Sequence, residues 1–125
     1  MRRLVPWVPV AVWALLIFWL SATPELRFVP DARLDLIVRK LGHMGVFGTL
    51  ALLLWSALAT TTAARPAVVW AAVLALAYAA SDEFHQGFTP GRDPSVRDVL
   101  IDGLGIVVAL VLGRLILAWR ARRSR

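Results

Sequence analysis

With 125 residues, 59% of them hydrophobic, and a mean hydropathy of +0.70, the chain is too apolar for a soluble domain of its length and has room for one domain. Its net charge of +6 comes from 14 Lys and Arg against 8 Asp and Glu, and arginines gather behind the last apolar stretch without any nucleic-acid-binding motif, so membrane lipids are the expected partner and nucleic acid is excluded. Cysteine is absent, which excludes disulfides and thiolate chemistry.

Four apolar segments predict an all-α fold, an integral membrane four-helix bundle with spans at about 4–22, 41–60, 66–86 and 97–119. The first, Leu4 to Ala22, follows Arg2-Arg3, and a cleavable signal peptide is the competing reading. Ser21-Ala22-Thr23 is a poor cleavage site, and Trp7, Trp13 and Trp19 suit a retained helix with interfacial anchors. Pro24 and Pro30 flank the loop that follows. From Asp31 to Lys40, Leu34, Ile37, Val38 and Leu41 recur at helical spacing, which predicts either a short interfacial helix or an extension of the second span. Gly42, Gly45 and Gly48 then form a small-residue stripe suited to close helix contact.

The third span opens at Arg65-Pro66, a proline position that fits a first helical turn. Its uncharged part stops at Ser81, short of the roughly 20 residues a crossing needs, so the helix must take in Asp82, Glu83 and His85 and end near Gly87. Thr89-Pro90-Gly91 is a turn signature, and Ser95-Val96-Arg97-Asp98 matches a capping box that opens the fourth span. Asp98 and Asp102 share one face of that helix, and Asp102 lies a full turn inside. Arg2, Arg3, Arg65, Arg120, Arg122, Arg123 and Arg125 fall on one side of this topology, which places both termini in the cytoplasm. The start of span two, the end of span three and the start of span four then share the outer face.

Lys40, His43, Asp82, Glu83, His85, Gln86, Arg92, Asp98 and Asp102 therefore meet at one membrane edge, where ionisable groups are costly unless they pair or perform work. Several roles fit. His85 with Asp82 or Glu83 is a candidate general acid–base pair, the carboxylate fixing the imidazole tautomer. Lys40 and Arg92 are candidate partners for an anionic ligand, with His43, Gln86, Asp98 and Asp102 completing the binding set. His43, Asp82, Glu83 and His85 are the candidate ligands of a divalent metal, although their spacing matches no standard metal motif. An ion-pair network that locks the helices without a ligand is the structural alternative. No cofactor is required by the sequence.

The pattern Lys40-x-x-His43-x-x-x-Phe47, Ser81-Asp82-Glu83-x-His85-Gln86, Pro90-Gly91-Arg92 and Asp98-x-x-x-Asp102-x-x-Gly105 resembles the VanZ-like family of small bacterial membrane proteins, over roughly residues 36 to 110. The namesake of that family confers low-level resistance to teicoplanin, a lipid-tailed glycopeptide acting on the cell wall precursor outside the membrane. The resemblance thus implies a plasma-membrane protein that recognises or modifies a lipid-linked or amphiphilic anionic component of the cell envelope. The alternatives are a non-catalytic module that limits antibiotic access or scaffolds partners, and a proton-coupled transporter. Members commonly carry Asn where this chain has Asp102, and the exchange adds a negative charge.

Overall fold

The computed structural model describes residues 4–23 and 27–124. It contains helices α1 (Trp7–Ser21), α2 (Ala32–Leu58), α3 (Ala64–Gln86) and α4 (Val96–Arg123), with no strand among the described residues. Three of them, α2, α3 and α4, are long and apolar enough to cross a membrane. Large apolar side chains such as Leu15, Trp70, Val107 and Leu115 stay more than half exposed on the outer faces, where a water-soluble bundle would carry polar groups.

α1 is shorter than the predicted span 4–22. Its 15 residues make about 22 Å of helix against a hydrocarbon layer of about 30 Å. Prolines set its start. Pro6 and Pro9 lack N–H groups and fit only a first turn, so residues 4–6 form a tighter turn in which Trp7 N–H donates to Leu4 O at 3.0 Å. Two side chains fasten α1 to the bundle: Trp13 Nε1 donates to Val46 O at 2.9 Å, and Tyr78 OH donates to Ala14 O at 2.7 Å. Both spare the indole and phenol an unsatisfied donor among apolar neighbours.

Between the two sequence readings of residues 31–40, the extension is the one formed, since α2 runs unbroken from Ala32. Asp31 caps it, accepting from Arg33 N–H at 3.0 Å and Leu34 N–H at 2.9 Å. One turn later the buried Asp35 accepts from Phe28 N–H at 2.7 Å and Val29 N–H at 3.3 Å and pairs with Arg39 at 3.1 Å. This carboxylate folds the α1–α2 loop back onto α2. Pro24, the other expected loop marker, lies outside the described residues.

α3 buries Ala67, Ala71, Ala75 and Ala79, a four-residue repeat whose small side chains let it lie close against its neighbours. α2 and α4 make the most extensive contact and run parallel, because Lys40, Met44 and Gly48 of one meet Asp98, Gly105 and Ala109 of the other in ascending order. At the closest point a Cβ on Gly105 would lie 2.5 Å from Met44 O, so only glycine fits. The expected stripe of Gly42, Gly45 and Gly48 is corrected here. Gly48 alone abuts α4, while Gly42 and Gly45 have open space around them. A three-residue step turns 300° around a helix, so three such glycines drift off any single face. Among the described residues, α1 packs on α2 and α3 and makes no close contact with α4.

These packing differences predict opposite outcomes for similar substitutions. Gly105→Ala should lower the stability of the detergent-solubilised protein by about 1–3 kcal/mol through overpacking. Gly45→Ala should be neutral or raise stability by up to about 1 kcal/mol, since it adds helix propensity without a clash. Thermal or denaturant melting of the two variants beside the parent checks both.

Candidate functional site

Past Ala79, the buried face of α3 changes from alanine to Asp82, Glu83 and Gln86, all buried. Burial of acids at this depth demands partners, and each has one. Gln86 Nε2 donates to Asp82 Oδ2 at 2.8 Å and reaches Ser21 Oγ of α1 at 3.3 Å. Glu83 Oε1 accepts from Ser95 N–H at 2.7 Å.

That last bond alters the predicted capping box. Ser95 does cap α4, its hydroxyl accepting from Arg97 N–H at 3.2 Å. In a capping box the acid three residues on would take the Ser95 N–H, yet Glu83 of α3 takes it instead. Asp98 is thereby released to pair with Lys40 across the α2–α4 contact. Below it, His43 Nδ1 stands 3.4 Å from Oδ1 of Asp102, whose carboxylate is fully enclosed.

The loop between α3 and α4 completes the arrangement. Pro90 and Gly91 occupy the centre of a turn closed by Arg92 N–H to Thr89 O at 3.2 Å, and Gly91 has φ +82°. Gly87 ends α3 with ordinary helical torsions, so it is the close approach of Pro94, 3.1 Å from where a Cβ would stand, that favours glycine there. Thr89 Oγ1 donates to Ser21 O at 3.4 Å and Arg92 Nη2 to Thr23 O at 3.5 Å, which ties the loop to the end of α1.

A cavity of about 420 Å³ opens among these elements. Lys40, His43, Asp82, Gln86, Arg92, Asp98 and Asp102 all line it, with Arg39 and Asp93 beside them. Ile17, Leu20, Phe28, Leu36, Phe47 and Ile101 supply apolar walls. Seven of the nine residues singled out in the sequence thus share one space. Glu83 and His85 do not belong to its lining.

Two expectations are corrected by this geometry. His85 forms no acid–base pair with Asp82 or Glu83: those carboxylates hold Gln86 and Ser95, while His85 stacks on Phe18 of α1 at 4.5 Å and its buried Nδ1 has no partner among the described residues. Two and three residues along a helix rotate by 200° and 300°, enough to send the imidazole toward α1. Arg92, the expected anion partner, reaches Thr23 O and no carboxylate among the described residues. His43, Asp82, Glu83 and His85 do not form a metal site, and no group of three or more His, Asp or Glu among the described residues is placed to hold an ion. The imidazole–carboxylate contact that the cavity does hold is His43 with Asp102.

Asp35, Ser21, Thr23 and Thr89 were not expected among the site residues from the sequence. Asp35 carried a signal in its four-residue spacing from both Asp31 and Arg39. The α1 groups act through main-chain carbonyls and one hydroxyl, which leave no pattern.

Glu83 is the polar link between α3 and α4, and its loss is predictable. Glu83→Ala, which leaves Ser95 N–H without its acceptor, should cost about 1–3 kcal/mol. Glu83→Gln retains an acceptor oxygen and should melt close to the parent. An equal loss in Gln and in Ala would show that the carboxylate charge, not this hydrogen bond, is what matters.

No curated protein and no solved structure matches the chain. The family model for VanZ/LLP1 matches residues 4–117, a stretch that takes in all four helices except the last residues of α4 and every residue lining the cavity. With helices long and apolar enough to span a bilayer, this chain is a membrane protein belonging to the VanZ/LLP1 family.

Proposed function

We propose that the protein recognises an anionic, amphiphilic component of the bacterial cell envelope in this cavity, from the outer face of the plasma membrane. The observation that carries the reading is Arg92. It lines the cavity, its buried Nε lacks a partner among the described residues, and no carboxylate pairs with it there. A guanidinium is the side chain best suited to two-point contact with a phosphate or carboxylate. Lys40, by contrast, is engaged by Asp98. The apolar walls give a hydrocarbon tail or lipid-like body a place beside that group. Recognition without chemistry is favoured over an acid–base role for Asp82, Glu83 and His85, because Glu83 and His85 stand outside the cavity and Asp82 is bound by Gln86. The cell envelope and the link to glycopeptide resistance rest on family membership.

Orientation follows from charge. Arg120, Arg122 and Arg123 fill the last turn of α4, and Arg123 lies 4.0 Å over the Trp119 ring, a pairing that suits a headgroup layer rich in anionic lipid. With that end cytoplasmic, the cavity faces outward. Reporter fusions after Arg65 and Arg125 should read cytoplasm and one at Thr89 the outside; the reverse pattern would overturn the orientation.

Function is read in a teicoplanin-sensitive host. Arg92→Gln should remove protection while membrane level and melting stay near the parent. His85→Gln should leave protection intact. Loss of protection in His85→Gln at normal protein level, with Arg92→Gln fully active, would reverse the assignment and restore the acid–base reading.

A further inference from the structure

The cavity's charges do not balance around an anion alone. Its lining carries three cations, Arg39, Lys40 and Arg92, and four carboxylates, Asp82, Asp93, Asp98 and Asp102. Two of the cations are already matched inside the protein, Lys40 by Asp98 and Arg39 by Asp35. Arg92 shares the lining with Asp82, Asp93 and Asp102, none of which has a Lys or Arg partner among the described residues. Asp82 accepts from Gln86, a neutral amide, and His43 stands 3.4 Å from Asp102. The lining thus holds one such guanidinium against three such carboxylates, Asp82 and Asp102 buried and Asp93 exposed.

A ligand bearing only negative charge would satisfy Arg92 and add to the excess around it. Beside the buried Asp82 and Asp102 that repulsion is poorly screened, since the effective dielectric there is well below that of water. An ammonium group on the same ligand removes the conflict, because it can approach the carboxylates while the acid approaches Arg92. We infer that the ligand is zwitterionic, an amphiphile whose polar end joins a phosphate or carboxylate to a primary amine. The inference rests on the proposed recognition of an acidic amphiphile and adds the amine to it. Asp93 next to Arg92 in the loop, and Asp82 on α3, are the groups that would take the ammonium, while Asp102 sits behind His43 and acts through its field.

Lipids that differ only in the headgroup test it. The full chain in detergent micelles is titrated with phosphatidylethanolamine, its N-acetylated form and phosphatidylglycerol of identical acyl chains, and adducts are counted by native mass spectrometry. Phosphatidylethanolamine should bind about tenfold tighter than either amine-free lipid, the scale of one hydrogen bond to a charged group. Asp93→Asn combined with Asp82→Asn should erase that preference by weakening the amine lipid alone. Arg92→Gln should weaken all three. Equal binding of the three lipids, still lost in Arg92→Gln, would overturn the zwitterion while leaving the acidic amphiphile. Binding that ignores both headgroup and Arg92 would overturn the two readings together. Soluble phosphoethanolamine should compete poorly; competition as strong as that of the lipid would overturn the lipid assignment and point to a small polar ligand. Melting of each variant in the same detergent separates loss of a contact from loss of the fold.

Discussion

The close approach of α2 and α4 at Gly105 is the constraint on which the rest of the structure depends. With glycine there, the main chain of Met44 meets α4 directly, and the two helices lock in a single parallel register. That register carries Lys40 to Asp98 and His43 to Asp102. A bulkier residue would push the axes apart, and the two pairs would separate together. Helix packing and the polar site are therefore one problem, solved by a residue that takes part in none of the ion pairs.

α3 contributes a second device, a buried face that changes character along its length. Alanines at four-residue intervals keep it tight against its neighbours through the apolar layer, and the same face then presents Asp82, Glu83 and Gln86 where the chain turns back. Each buried acid is held by a donor from another element or another turn, so none is left at the cost of an isolated buried charge. Glu83 does more than satisfy itself. By taking the N–H that would otherwise belong to Asp98, it lets an ordinary helix cap become half of an ion pair.

Much of this was legible in the sequence. Span length, proline and glycine punctuation and the short uncharged run before Asp82 were enough to bring the ends of α2, α3 and α4 to one edge. The partners were less so. Spacing places residues on a face, but it does not decide which of several carboxylates a given cation reaches, and Arg92 went to a main-chain carbonyl. The glycine stripe misled for a related reason: three-residue recurrence is visible in a sequence, whereas the closest helix contact, at Gly105, depends on what lies opposite it. His85 was drawn into the polar cluster by proximity along the chain, yet an aromatic ring on α1 captured it. Loop contacts such as Thr89 to Ser21 involve main-chain groups that every residue has, and so leave no compositional trace.

The position of α1 explains why a cavity exists at all. α1 lies against α2 and α3 but not α4, so the bundle does not close into four mutually packed helices. At the polar end the remaining space is bounded by Ile17, Leu20 and Ser21 on one side and Asp98, Ile101 and Asp102 on the other. The gap leaves Arg92 and three aspartates without a Lys, Arg, Asp or Glu partner among the described residues, a cost that a purely structural lock would have no reason to retain. What holds α1 at that distance is a small set of directional bonds: Trp13 and Tyr78 along its length, and Gln86, Thr89 and Arg92 at its end. Three of those five side chains belong to the polar end of α3 and its loop. The wall of the cavity is thus fastened by the same segment that supplies its chemistry, and ligand contacts at Arg92 and at Gln86 would be felt directly by α1.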